Sequence, residues 1–236
     1  MTASIAQSAT KSRRKAAAAG NGARAQKSAA RRGAILAAAL DEFSAQGFAA
    51  ARLDDVARRA GVAKGTIYLH FRDKEALFQE LIRSVLSPFV GTFEAALTAD
   101  VPARALADQI VELFVAEVYG TRRKDVIRLI VSEGPRFPHI AEFYYREVLS
   151  RIMAAVRDWM RRAQARGEVR GDALVRFPQL VGAPAITAIV WGGLFERLEP
   201  LDVRAFMHAY VDLVFGERAG AEERASAEGI GAGRQP

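Results

Sequence analysis

The sequence predicts an all-α protein with a small N-terminal head of three helices and a larger helical body. Three observations predict it. Apolar residues recur at helical spacing almost continuously from Arg31 onward. No stretch alternates apolar and polar residues long enough for a sheet, and no period of ~20–50 residues recurs. Two very short helical stretches flank a Gly-containing turn near residue 61, before the longer helices begin.

Taken in order, Ile35, Leu36, Ala39, Leu40 and Phe43 fall at i, i+3, i+4 intervals and stop at Gly47, which makes the first helix. Residues 54–60 form a second, opened by Asp54 and Asp55 at the positive end of the helix dipole and closed by Gly61. Residues 64–70 form a third, and Asp73-Lys74-Glu75 opens a fourth that runs past Val85. Pro102 suits the first turn of a helix reaching Tyr119, and residues 122–132 keep the same period. After Gly134-Pro135 one long helix is predicted to about residue 166, with Ile140, Phe143, Tyr144, Val148, Ile152, Val156 and Trp159 on one face. The uncharged stretch 177–195 and residues 203–215 complete the set.

At 236 residues and 50% hydrophobic, the chain is long enough for one large or two small domains. The absence of cysteine excludes a disulfide scaffold, a thiolate metal centre and a cysteine nucleophile. The formal net charge of +7 belongs to the N-terminus, because residues 1–40 hold Lys11, Arg13, Arg14, Lys15, Arg24, Lys27, Arg31 and Arg32 and no acid. Residues 1–30 are Ala, Ser, Gly, Lys and Arg with Ile5 as their large aliphatic residue, a composition that predicts an unstructured basic tail. An acid-free, Arg- and Ser-containing start is also the composition of an organelle transit peptide, although the Ala/Arg-rich character of the whole chain favours a basic arm. A second tail is expected over 218–236, leaving a head over 31–76 and a body over 77–217. The stretch 177–195 contains Pro178, Pro184, Gly192 and Gly193, which suits a buried or subunit-facing helix better than a membrane span.

The segment LDDVARRAGVAKGTIYLHFRDKE, residues 53–75, carries the functional signal. Two short helices around a Gly turn form a helix-turn-helix, whose second helix enters the DNA major groove. Val56, Ala57, Ala60, Val62, Ile67 and Phe71 supply the apolar wedge, while Lys64, Gly65, Thr66, Tyr68 and His70 are left to face a nucleic acid. Lys64 can donate to guanine O6 or N7, and the Thr66 methyl and Tyr68 ring can touch a thymine methyl. Residues 41–80 hold six bases against seven acids, so long-range attraction falls to the tail, with Arg31 and Arg32 expected along phosphates or in the minor groove.

This segment closely resembles the DNA-binding head of the TetR family of transcriptional regulators. The residues that carry the resemblance are Gly47-Phe48, Asp55-Val56-Ala57, Ala60-Gly61-Val62, Gly65-Thr66-Ile67-Tyr68, His70-Phe71 and Lys74-Glu75-Ala76-Leu77, within 31–81. The resemblance implies a homodimer that binds a palindromic double-stranded DNA operator and is released by a small-molecule effector. It places Lys64, Gly65 and Thr66 at the base-reading end, and Tyr68, His70 and Lys74 at phosphates. Ala51-Arg52 and Ala63 stand where the family often has hydroxyl residues, so Arg52 is expected as a charged contact instead.

In the body, His70, His139 and His208 are far apart, and no HExxH, GxSxG, GxGxxG or phosphate-loop pattern occurs. Neither catalytic residues, nor a cofactor, nor a metal is predicted. A pocket between helices is, with Phe89, Phe93, Phe114, Tyr144, Trp159 and Trp191 as apolar lining and Glu133 and His139 as polar anchors. Residues 184–195 and 206–215 are expected to pair with a second copy, Gly192, Gly193 and Ala185 allowing close approach. The expectation is a cytoplasmic, dimeric, effector-responsive repressor without membrane association. An activator or ligand-independent DNA binder, and a helical enzyme or binding module, are the alternatives.

Overall fold

The computed structural model describes residues 2–216, with side chains from Gln26 onward, and the described residues form eleven helices and no strand. The chain divides into two compact units between Leu81 and Ile82, inside the fourth helix.

The head begins with α1 (Thr2–Ala50), whose backbone leaves helical geometry at Gly47, with φ 74° and ψ 164°, where the sequence pattern stops. Its backbone is helical from Thr2, where composition predicts an unstructured tail. A helix needs only local hydrogen bonds and tolerant residues such as Ala, Gln, Lys and Arg, whereas the composition argument counts only burial. From Ile35 the helix has a buried face of Ile35, Ala39, Leu40 and Phe43. Phe43 meets Phe48 and Phe78 with ring centroids 5.3 to 5.6 Å apart. Each such ring contributes about 1.5–3 kcal/mol by leaving water. The helices α2 (Leu53–Arg59) and α3 (Lys64–His70) follow, then α4 (Lys74–Leu97), at whose start the Ala76 amide donates to Asp73 Oδ1 at 2.7 Å. The expected tail at 218–236 lies outside the described residues.

The body comprises α5 (Ala103–Phe114), α6 (Arg123–Glu133), α7 (Pro138–Tyr144), α8 (Ser150–Ala165), α9 (Ala173–Arg176), α10 (Gln179–Leu194) and α11 (Val203–Phe215). Turns of π-helix at Val115–Tyr119 and Tyr145–Leu149 extend α5 and divide the long helix predicted between Gly134 and Arg166 into α7 and α8. Widening by one residue shifts the period without changing which residues are apolar, so periodicity alone reads through it. The core gathers Leu106, Val111 and Phe114 with Val156, Trp159 and Met160, and with Ile189, Met207 and Val211. Arginines tie helix ends together: Arg123 Nε donates to Val85 O at 3.0 Å, and Arg162 donates to Leu97 O. Glu168 accepts the Ala103 amide at 2.7 Å at the start of α5.

The uncharged stretch forms α10, sixteen residues long, and among the described residues no helix is long and apolar enough to cross a membrane. At Gly192 and Gly193 side chains of the same chain lie where a Cβ would stand, although Gly192 is only half-buried and Gly193 is exposed. A Cβ on Gly192 would stand 2.5 Å from Tyr119 Oη, and one on Gly193 2.5 Å from Arg128 Nε. Arg128 reaches across there to donate to Ile189 O at 3.2 Å.

Candidate functional site

The wedge residues fix α3 on α2. Val56, Ala57, Ile67 and Phe71 are each no more than 3% exposed, and Ala60 and Val62 are half-buried. Gly61 takes φ +66°, a left-handed turn that costs glycine nothing and other residues a steric clash. Arg59 pairs with the buried Glu42 of α1 at 3.2 Å, which holds α2 from the other side. Neither α2 nor α3 has a side-chain cap: Arg52 and Ala63 occupy those positions in extended backbone, as the missing hydroxyls imply.

With its underside held, α3 presents Lys64, Gly65 and Tyr68 outward as exposed residues, with Thr66 and His70 half-buried beside them. No atom lies within 4 Å of where a Gly65 Cβ would stand, so this face of the helix is open. Leu69, which the sequence reading passes over, is 85% exposed on the same short helix. An exposed leucine there is the signal that could have found it, since an apolar crest residue has no role in the head core and suits a thymine methyl.

Three of the predicted cations already have partners. Lys64 Nζ lies 2.8 Å from Asp54 Oδ2, an exposed pair. The Lys64 hydrogen bond holds the Asp54 carboxyl below its usual range, and the same bond raises the Lys64 ammonium. Lys74 Nζ donates to Phe48 O at 2.9 Å and Ala49 O at 2.6 Å, and sits 5.0 Å from the Phe48 ring centroid. It thus closes the C-terminal end of α1. Arg32 pairs with Glu80 at 2.6 Å and lies over the Phe71 ring, so the head uses a charge that the sequence assigns to DNA. Arg31 and Arg52 are exposed.

The predicted ligand residues scatter. Phe93, Phe114 and Trp159 are core residues at 8%, 7% and 2% exposure, and Phe89 packs 5.7 Å from Phe93 one turn away. Trp191 is half-buried and donates from Nε1 to Glu199 O at 2.8 Å. His139 is exposed, while Glu133 is buried with Oε2 lacking a partner. Burial pushes the half-buried Tyr144 phenol up to about 12. Of these residues only Trp159 lines the cavity of about 50 Å³ found among α5, α8, α10 and α11. His208, read from the sequence only as remote from the other histidines, has ring nitrogens 3.1 Å from Asp108 and 3.1 Å from Glu112 of α5.

Comparison with known proteins agrees with this arrangement. Residues 35–81 match the family described as bacterial regulatory proteins, tetR family, and residues 103–214 match the tetracyclin repressor-like C-terminal domain. The chain is 30% identical over 138 residues to the HTH-type transcriptional regulator UidR of Escherichia coli (strain K12), which covers 58% of this chain and 68% of UidR. It is 25% identical over 171 residues to the regulator SrpR of Pseudomonas putida, covering 72% and 76%. In fold it is similar to the fatty acid degradation regulator FadR from Bacillus halodurans, with a TM-score of 0.65 at 18% identity over 80% of this chain and 96% of that one. AmtR from Mycobacterium smegmatis gives a TM-score of 0.60 at 18% identity, covering 86% and 94%. The matching families and the named relatives are regulators rather than enzymes, and the chain belongs to the TetR family of bacterial transcriptional regulators.

Proposed function

We propose that the protein is a cytoplasmic repressor that binds a palindromic operator as a homodimer and leaves it when a small molecule enters the body. The observation that carries the DNA reading is the seven-residue α3, with Ile67 fully buried beneath and Tyr68 and Leu69 at 48% and 85% exposure above. Such a crest fits a major groove, where Lys64, Gly65 and Thr66 meet base edges and Arg52, Tyr68 and His70 meet phosphates. In this reading the head comprises residues 31–76 and the body 77–217, a boundary that falls within α4, as does the division between Leu81 and Ile82.

Exposed apolar residues support the dimer. On α10 only Pro184, Ala188 and Ile189 are buried, while Ile186 and Leu194 are 45% and 66% exposed, and Leu213 of α11 is 84% exposed. A monomer would leave this surface in water. Two heads held about 34–36 Å apart fit successive major grooves. An effector that prefers the body packing of a different head spacing draws the protein off DNA, by an amount set only by its difference in affinity for the two states.

Footprinting the purified protein on DNA upstream of its own gene, beside sedimentation to give its mass, tests the reading. A protected palindrome, a mass of two copies, and loss of protection in Lys64→Ala and Tyr68→Ala are expected. No preference for any duplex over random competitor overturns it. A reporter fused to the protected promoter, in a strain lacking the gene, gives the sign: higher expression for a repressor, lower for an activator.

A further inference from the structure

The body contains one feature that the DNA reading does not use. Between α5, α8, α10 and α11 lies a cavity of about 50 Å³ whose wall includes Ile110, Val111, Trp159, Met160, Pro184 and Met207. None of its lining side chains is charged, and only Tyr210 and Trp159 among them carry a strong hydrogen-bond donor. The Tyr210 donor is already used. Pro184 has no N–H to give Leu180 O one turn earlier in α10, and the Tyr210 hydroxyl donates to that carbonyl instead. The Trp159 indole N–H is different: its residue lines the cavity and is 2% exposed, the nitrogen has no acceptor among the described residues, and, having almost no accessible surface of its own, it is reached only when the wall of the cavity shifts. A buried donor without a partner has lost its water and gained nothing in return, so an acceptor arriving at that atom gains what the folded chain forgoes.

We infer that this cavity binds a neutral, apolar molecule of about one small ring that carries a single hydrogen-bond acceptor, held by the Trp159 N–H. Charge excludes itself. The nearby carboxylates Asp108, Glu112 and Asp212 are engaged by Arg104, Arg204 and His208, and an anion or cation in the cavity would be desolvated without a counter-ion. Size follows from the volume. A dry cavity of about 150 Å³ holds benzene, so at 50 Å³ a five-membered ring enters only as the wall gives way. Met160 and Met207 are the adaptable part of that wall. The wall that moves includes α10 and α11, which carry the exposed apolar residues assigned to dimerisation. This inference rests on the reading of the body as effector-responsive, and it names the effector's chemistry.

The test uses the full chain labelled with 15N-tryptophan, which gives two indole signals because the sequence has two tryptophans. Trp159→Phe assigns them. The probes are cyclopentanone, cyclopentane and cyclopentanecarboxylate, titrated without DNA. Cyclopentanone is expected to move the Trp159 N–H signal downfield and saturably, binding about tenfold tighter than cyclopentane. The carboxylate leaves the signal in place, and Val181→Phe, which fills the cavity from a half-buried position, removes the ketone effect. An unmoved Trp159 signal, equal binding of ketone and hydrocarbon, or binding of the carboxylate as tight as the ketone overturns the inference. Retention of the protein's upstream duplex is measured in parallel. Loss of all duplex retention sinks the regulator reading whatever the indole does, whereas intact retention with a silent indole sinks the cavity alone.

Discussion

Gly65 separates the two demands placed on α3. It stands at the second position of a seven-residue helix, with nothing within 4 Å of a would-be Cβ, so the folded head has no steric need for glycine there. Gly65→Ala is expected to stabilise the head by about 0.5 kcal/mol through helix propensity, read by thermal melting. If the open face exists so that backbone can approach base edges, the same variant weakens specific DNA binding. Rising stability with falling affinity is therefore the expected pair of results, and unchanged affinity would remove Gly65 from the interface. Asp54 answers a second question at this scale. Its carboxylate holds Lys64 in the free protein, and its depressed pKa means that the pairing is present above the ordinary Asp range and lost as pH falls through the folded value. Asp54→Asn frees the ammonium for a phosphate or guanine. The slope of log K against log salt should then steepen by about 0.9 per head. A slope identical to that of the parent would mean that Lys64 already leaves Asp54 on DNA.

Among elements, α10 and α11 meet through a defect that has been put to use. Because Pro184 frees Leu180 O, Tyr210→Phe should leave a carbonyl unsatisfied and destabilise the body by about 1 kcal/mol in denaturant melts. In a Pro184→Ala background the restored amide takes that carbonyl, and the Tyr210→Phe cost should shrink toward zero, a coupling read directly from the double-mutant cycle. Equal costs in both backgrounds would sever the link. At the junction of α7 with its π-turn, the Tyr144 phenol is raised to about 12, so its neutral form contributes stability that is complete below about pH 10 and lost as pH rises through 12. Tyr144→Phe should flatten the alkaline part of the stability curve, and an unaltered curve would assign the loss to other groups. These elements also show how far the sequence could be read. The head was legible because its information is local: Gly61, the wedge of Val56, Ala57, Ile67 and Phe71, and the outward Lys64 and Tyr68 all lie within some twenty residues. The partners of Lys64, Lys74 and Arg32 were not, since Asp54, Phe48 O and Glu80 become neighbours only once the helices cross. In the body, periodicity rightly turned Phe93, Phe114 and Trp159 inward, but inward residues fill space as often as they leave it. The cavity depends on four helices packing imperfectly, and no single stripe encodes that.

At the scale of the whole molecule, charge is separated from shape. The head that fits the groove is close to neutral, with six bases and seven acids over residues 41–80, while residues 1–30 hold Lys11, Arg13, Arg14, Lys15, Arg24 and Lys27 and no acid. Affinity for the polyanion and recognition of its sequence are thereby assigned to different stretches of chain. Deleting residues 1–30 separates them experimentally, because among the side chains described, from Gln26 onward, the buried face of α1 begins at Ile35. Each base that reaches a phosphate contributes about 0.9 to the salt slope, so if only two of the six engage in each chain, a dimer's slope flattens by about 4. Affinity for operator and for random duplex should fall together, leaving their ratio near its starting value, since phosphate contacts carry no sequence information. A purely structural role for the segment predicts the opposite pattern: a lower melting temperature with the salt slope intact. Measuring both quantities on the truncated protein decides which description holds, and an unchanged slope would mean that the exposed cations of the head and body attract DNA without the arm.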